Sequence, residues 1–246
     1  MHRFFCADWR MGEEEAWLPP AESQHASRVL RLREGDVVGI LNGMGEIATA
    51  RLQSVQRSQV RCIVEESRAV PPPPVPVRLY VAPPKGKNME ALLKAATELG
   101  VARITPIACQ YGVAKPDGDK STWRQALVVA CKQSGNPWLP QLDLPTPFAQ
   151  ALDRADEVPF LGAVPGSTGF APLDTARLAT CGAALWIGPE GGFSPGEHQA
   201  LQQAGATALC IGQWILRVET AVPALLGRLD GLLAEQLPTI IPNTHT

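Results

Sequence analysis

Five prolines within residues 70–76 constrain this chain more than any other feature. Each proline fixes φ and removes a backbone N–H donor, and it pushes the residue before it out of the helical region. The run Val70-Pro71-Pro72-Pro73-Pro74-Val75-Pro76 is therefore neither a helix nor a central strand. It reads as a stiff, extended spacer. Residues 71–76 form the clearest domain boundary in the sequence, and the hydrophobic period changes across them.

Upstream the pattern is that of short strands broken by turns. Residues 37–41 and 46–52 flank Asn42-Gly43-Met44-Gly45, a hairpin signal because Asn and Gly tolerate positive φ. Residues 59–65 form another alternating run. Residues 1–70 are thus expected to fold as a small all-β module, a barrel. Downstream, 77–82 is a buried-strand run, and 88–99 places Met89, Leu92, Leu93, Ala96 and Leu99 on one helical face before Gly100 stops the helix. Strands follow at 103–107, 158–164, 184–187 and 208–211, with helices at 122–133, 195–204 and 220–235. Strands alternating with helices imply a mostly parallel sheet covered on both faces, so 77–236 reads as an α/β domain. The Pro/Asn/Thr stretch 237–246 reads as a flexible tail.

With 45% hydrophobic and 19% charged residues among 246, the chain can bury an ordinary core. No apolar run approaches the roughly 20 residues that cross a bilayer. Asp8 and Arg10 follow Phe4-Phe5 too soon for a signal-peptide core, so a cytoplasmic protein with no membrane partner is expected. The six cysteines are scattered, with no Cys-x-x-Cys pair and no histidine cluster, which argues against a metal site and a disulfide framework. Net charge is −2, but its distribution is uneven. Residues 71–133 carry 9 Lys/Arg against 4 Asp/Glu, and residues 134–246 carry 4 against 10. A basic middle beside an acidic end fits a local polyanion footprint, or chance clustering.

Three glycine motifs need sorting. Gly43-x-Gly45-x-x-Ala48 matches the dinucleotide fingerprint, but it lies between two strands with no helix after it, so a hairpin turn is the better reading. Gly192-Phe193-Ser194-Pro195-Gly196 matches a hydrolase nucleophile elbow. The oxyanion hole of such an elbow uses the N–H of the residue after the serine, and Pro195 has none. A helix start fits instead, with Ser194 as N-cap, Pro195 in the first turn and Glu197 completing a capping box. In Leu185-Trp186-Ile187-Gly188-Pro189-Glu190-Gly191-Gly192-Phe193 a buried strand runs into three glycines and a proline without the Lys-Ser/Thr of a phosphate loop. Such a loop suits a ligand read by main chain and shape, or simply a tight turn. A second strand ends at Gly212, and its loop delivers Arg217 and Glu219 to the last helix. In open α/β sheets ligands bind at the carboxyl ends of strands, so the two loops should lie together there.

The pair Ile-Gly-Pro-Glu-Gly-Gly-Phe (187–193) and Ile-Leu-Arg-Val-Glu-Thr-Ala (215–221) resembles the knotted SPOUT methyltransferases. It is most similar to the family that methylates N3 of a uridine in small-subunit (16S) ribosomal RNA, often called RsmE. His25-Ala-Ser-Arg28-Val-Leu-Arg31, Lys85-Gly86-Lys87-x-Met89-Glu90 and Thr97-Glu98-Leu99-Gly100 extend the resemblance over nearly the whole chain. It implies a PUA-like β-barrel (1–70) that binds RNA, followed by an α/β SPOUT domain (77–236) with a C-terminal trefoil knot. It further implies S-adenosyl-L-methionine as cofactor, 16S rRNA within the small ribosomal subunit as partner, and a homodimer. The cofactor would contact Leu161, Gly162, Ala163, Ile187, Gly188, Pro189, Glu190, Gly191, Gly192, Ile211, Gly212, Ile215 and Leu216. The chain departs from the family pattern at Cys109-Gln110-Tyr111, where Glu-Arg and a small residue are usual, at Lys132 for an acid, and at Asn136 for an arginine.

Methyl transfer from a sulfonium depends on in-line placement of the acceptor, so positioning should supply most of the acceleration. As N3 of uracil loses its proton, charge spreads to the flanking carbonyls. Arg217 is the candidate donor that stabilises it, and Glu219 the residue that holds Arg217 or caps the last helix. Arg28, Arg31, Arg33, Lys85 and Lys87 are candidate RNA-backbone contacts, with Arg28 and Arg31 on one face if that stretch is helical. A non-catalytic rRNA-binding assembly factor on the same scaffold and a serine hydrolase are the rival readings.

Overall fold

The computed structural model describes residues 1–85, 88–113, 120–164 and 174–236. The chain forms two compact units. One comprises Met1–Pro72 with Leu127–Leu139, and the other Pro73–Ala126 with the residues from 140 onward. The division at 71–76 is thus accompanied by a segment of α3 (Lys120–Ser134) and the turn after it, which group with the first unit.

In the first unit five strands pair in the order β1-β3-β4-β5-β2, with ranges β1 Arg3–Phe5, β2 Glu15–Leu18, β3 Val37–Leu41, β4 Glu46–Val55 and β5 Val60–Ala69. The hairpin read from Asn42-Gly43-Met44-Gly45 joins β3 to β4 with Leu41 opposite Ile47. Asn42 Oδ1 accepts from the N–H groups of Met44 (2.9 Å) and Glu46 (3.2 Å), and both glycines take positive φ. Trp138 lies across the turn so closely that a Cβ on Gly45 would overlap its ring. Phe4, Ile40, Leu52 and Cys62 sit in the core, where burial holds the Cys62 thiol up at about 12.

Two departures from the family pattern find their use here. Lys132 Nζ lies 2.7 Å from Glu22 Oε1, both side chains mostly buried. Asn136 Oδ1 accepts from the Trp138 N–H at 2.9 Å and shapes the turn that carries that ring. Arg28 lies in a π-helical turn (His25–Val29) that follows α1 (Pro20–Gln24), but Arg31 stands beyond it at φ 54°. The shared helical face expected for the two arginines is therefore not formed, because the backbone turns left-handed between them.

The second unit is built on a seven-stranded sheet in which every pairing is parallel. The order is β12-β10-β11-β6-β7-β8, with β9 also on β7. Their ranges are β6 Val77–Val81, β7 Arg103–Ala108, β8 Gln141–Leu142, β9 Thr146–Pro147, β10 Val158–Gly162, β11 Ala183–Ile187 and β12 Thr207–Leu209. Tyr80 and Trp186 stack on neighbouring strands at 3.8 Å and anchor one side of the core. The helices are α2 (Met89–Glu98), α4 (Phe148–Asp153), α5 (Thr175–Cys181), α6 (Pro195–Gln203) and α7 (Val218–Gln236). Leu99, expected on the apolar face of α2, is instead exposed at its C-cap.

The basic segment also reads differently in three dimensions. Arg78 pairs with Asp143 (3.0 Å) and Glu157 (3.3 Å), Arg103 pairs with Asp143 (2.9 Å), and Lys132 pairs with Glu22. Acids from outside residues 71–133 thus neutralise three of its cations. Arg103 and Thr105 both donate to Asp143, whose carboxyl stays below the usual range against the opposing effect of its burial. No helix among the described residues is long and apolar enough to cross a membrane.

Candidate functional site

The strand order reverses at β10, since the chain passes from β11 to β12 on the opposite side of it. Loops that leave neighbouring strands in opposite directions open a crevice at their carboxyl ends. There a cavity of about 250 Å³ lies among the ends of β10 and β11, the loop after β12 and the first turns of α7.

From β10 and its end come Leu161, Gly162 and Ala163. A Cβ on Gly162 would overlap Ile187 Cδ1 and lie 2.9 Å from Leu225 Cδ1, so glycine lets these two side chains pack directly on the end of β10. From the glycine loop come Ile187, Gly188, Pro189, Glu190 and Gly192. That loop is a tight turn as well as a wall. Gly192 N–H donates to Pro189 O at 2.8 Å, and a Cβ on Gly188 would press on the Gly192–Phe193 backbone. Gly191 points elsewhere, against Tyr111. The loop after β12 contributes Ile211, Trp214, Ile215 and Leu216, while Gly212 makes its turn at φ 69° without lining the cavity.

The glycine loop is tied down at both ends. Glu190 Oε1 accepts the Lys85 N–H at 3.0 Å, and that bond holds the carboxyl below its ordinary range. Ser194 caps α6 as its sequence suggests. Its Oγ accepts from Glu197 N (3.3 Å), and Glu197 Oε2 accepts from Ser194 N (2.8 Å). The other oxygen of Glu197 accepts from Gln110 N at 2.8 Å, which brings Tyr111 beside the loop. Ser194 is buried and its hydroxyl is engaged as a cap. The bond that joins it to His198 is between main-chain atoms, from His198 N–H to Ser194 O at 2.8 Å, so among the described residues no imidazole serves the Ser194 hydroxyl as a base.

Arg217 stands at the edge of the cavity rather than among its lining residues. Its backbone carbonyl accepts from Thr220 (3.0 Å) and Ala221 (2.8 Å) and so starts α7, while its exposed guanidinium has no ion pair among the described residues. Glu219 does not hold it. Its carboxylate accepts from Asn88 Nδ2 at 2.8 Å, joining the starts of α2 and α7. Arg28, Arg31 and Arg33 lie exposed in the first unit, Lys85 lies exposed in the second, and Lys87 falls outside the described residues. Among the described residues no group of three or more His, Cys, Asp or Glu could hold a metal ion.

Sequence reasoning missed Val164, Phe193, His198, Val218, Ala221 and Leu225, all of which line the cavity, and it gave Trp214 no role of its own within the loop 211–216. A signal existed for some. Val218, Ala221 and Leu225 recur at helical spacing on one face of α7, and His198 falls one turn after the cap at Ser194. No local pattern marks Trp214.

A family model described as an RNA methyltransferase domain matches residues 71–230, and one described as an RNA methyltransferase PUA domain matches residues 18–65. The chain is 32% identical over 222 residues to ribosomal RNA small subunit methyltransferase E of Mycobacterium bovis, covering 86% of this chain and 84% of that protein. Its fold is similar to that of ribosomal RNA small subunit methyltransferase E from Neisseria gonorrhoeae, solved bound to S-adenosyl methionine. The TM-score is 0.84 at 24% identity, over 94% of this chain and 98% of that one. A methyltransferase from Legionella pneumophila, solved with the cofactor SAM, superimposes with a TM-score of 0.79 at 28% identity, over 94% and 97% of the two chains.

Proposed function

The chain belongs to the ribosomal RNA small subunit methyltransferase E family, and from that premise we propose that it transfers a methyl group from S-adenosylmethionine to N3 of one uridine in 16S ribosomal RNA. The observation that carries this reading is the meeting of two motif loops and the end of β10 on one cavity at the carboxyl ends of parallel strands. The cavity suits such a ligand by its chemistry, being walled mainly by glycine main chain and apolar side chains. Leu161, Gly162, Ala163, Ile187, Gly188, Pro189, Glu190, Gly192, Ile211, Ile215 and Leu216 are its proposed holders, with Gly191 and Gly212 shaping the loops that carry them. When bound, the cofactor supplies an electrophilic methyl group.

The residues of the chain supply placement and charge. Arg217, exposed and unpaired, is the proposed donor to the uracil carbonyl on which charge builds as N3 loses its proton. Glu219 acts at a distance from that step, holding the start of α7 through Asn88. In the fuller reading residues 1–70 are a PUA-like β-barrel that binds RNA and 71–76 a linker. Residues 77–236 are then a SPOUT domain with a trefoil knot, and the tail read at 237–246 lies outside the described residues. The passage of the chain across β10 and the PUA match over 18–65 support it. We assign RNA-backbone contacts to Arg28, Arg31, Arg33, Lys85 and Lys87, a homodimeric state and a cytoplasmic location. The test is methyl transfer from labelled cofactor to unmodified small subunits, followed by mapping of the product. A single N3-methyluridine in 16S rRNA is expected. Binding of the subunit without transfer would replace this reading with that of a non-catalytic assembly factor.

A further inference from the structure

Trp214 is the largest side chain lining the cavity that also stands in solvent, at 78% exposure, and Ile215 beside it is equally exposed. Among the described residues the indole N–H has no hydrogen bond. The loop turns at Gly212 and presents a flat apolar face at the cavity rim. Three residues later it presents the unpaired guanidinium of Arg217. A π-face followed by a cation is the complement of a pyrimidine, which has a flat face to stack and carbonyl oxygens on its edge. Single bases splayed out of RNA are commonly taken up by stacking on aromatic side chains.

We propose that Trp214 is the base-stacking residue of this enzyme, its indole packing on the face of the target uracil while Arg217 meets the edge. This rests on the methyl-transfer reading above and adds the group that orients the acceptor. The cavity fixes the occupant. A methyl acceptor must approach the donor from the open side of the cavity, and Trp214 stands on that side while lining it. Tyr111 differs in that its side chain already packs on Gly191 and supports the glycine loop.

The test compares Trp214→Ala and Trp214→Phe with the wild-type chain by three measurements. These are single-turnover methyl transfer over a range of small-subunit concentrations, the dissociation constant for S-adenosylmethionine, and solution mass. Trp214→Ala should lower kcat/KM for the subunit roughly ten- to a hundred-fold, the range of single base–aromatic contacts, with cofactor affinity and mass unchanged. Trp214→Phe, which keeps a π-face, should recover most of the loss. Wild-type rates in Trp214→Ala, or an equal loss in Trp214→Phe, would overturn the proposal. So would a matching fall in cofactor affinity, which would make the ring a wall of the donor pocket. A fall in mass would assign it to contact with a second copy. If the wild-type chain transfers no methyl group, the functional reading fails by itself. Equilibrium binding of 16S rRNA with S-adenosylhomocysteine present then still decides whether Trp214 contacts RNA, through a loss in Ala that Phe restores.

Discussion

Two glycine turns in this chain match nucleotide or catalytic motifs by letter, and only one of them faces a cavity. At 42–46 the glycines connect antiparallel strands, and the space beside each glycine is filled although Met44 between them is exposed. Asn42 Oδ1 takes two backbone N–H groups, Phe5 crowds Gly43 and the Trp138 ring covers Gly45. At 188–192 the glycines follow a buried parallel strand and lead into a capped helix, and the loop folds on itself while leaving one side open to the space among Leu161, Ile211 and Leu225. The glycines in both serve close approach. In the first turn both glycines admit the protein's own side chains; in the second, Gly188 admits the loop's own backbone and Gly191 admits Tyr111, while Gly192 meets nothing within 4 Å and the loop lines the cavity. A glycine motif therefore carries function only through its neighbours, and the elements before and after it tell which kind it is.

That contrast predicts a double dissociation. On the open side, Arg217→Ala should lower kcat/KM about 10²–10³-fold, the loss expected when one preorganised donor to a developing oxyanion is removed. Its urea midpoint and cofactor dissociation constant should be those of the wild type, because the guanidinium is exposed and unpaired. On the filled side, Gly45→Ala must place a Cβ at φ 86° into the Trp138 ring. Left-handed strain and overpacking together should cost about 2–4 kcal/mol of stability by urea unfolding. Cofactor affinity of the folded variant should not change. A stability loss in Arg217→Ala, or weakened cofactor binding in Gly45→Ala, would break the division.

The same contrast shows what the sequence makes legible. The hairpin at Asn42-Gly43, the cap at Ser194 and the two loops at the sheet edge rest on residues within a few positions of one another, where dihedral preference and capping act directly. What fills or empties a turn depends on partners far along the chain, as Trp138 does for Gly45 and Leu225 does for Gly162. Long-range pairing also redirected charges that looked free. Arg78 meets Asp143 and Glu157, and Lys132 meets Glu22. Strands of two to four residues such as β1, β2, β8 and β9 are too short to show a period, and their places come only from the sheets they extend. The role proposed for Trp214 was illegible for the opposite reason, because its ring stands largely in solvent and sequence periodicity reports only side chains that pack.

The smallest expected effect sharpens the comparison through pH. The hairpin turn is held by the uncharged Asn42 carbonyl oxygen, whereas the glycine loop is tied to Lys85 by the Glu190 carboxylate. The Lys85 N–H favours the ionised form, so the folded pKa of Glu190 lies below its unfolded value. A depressed carboxylate contributes its full stability above the ordinary range near 4.3 and loses it as pH falls through the folded value. Because the group is exposed and screened, that contribution should stay under about 1 kcal/mol and act mainly on the tether. Exchange protection of the Lys85 amide should therefore fall in acid in the wild-type chain. In Glu190→Gln, which keeps a carbonyl acceptor and cannot titrate, protection should be weaker at neutral pH but independent of acid in this range. The Gly45 amide, which donates to the uncharged Pro137 carbonyl at 3.0 Å, should show no such dependence in either protein. An acid-sensitive Lys85 amide in Glu190→Gln would mean that another group ties the loop down.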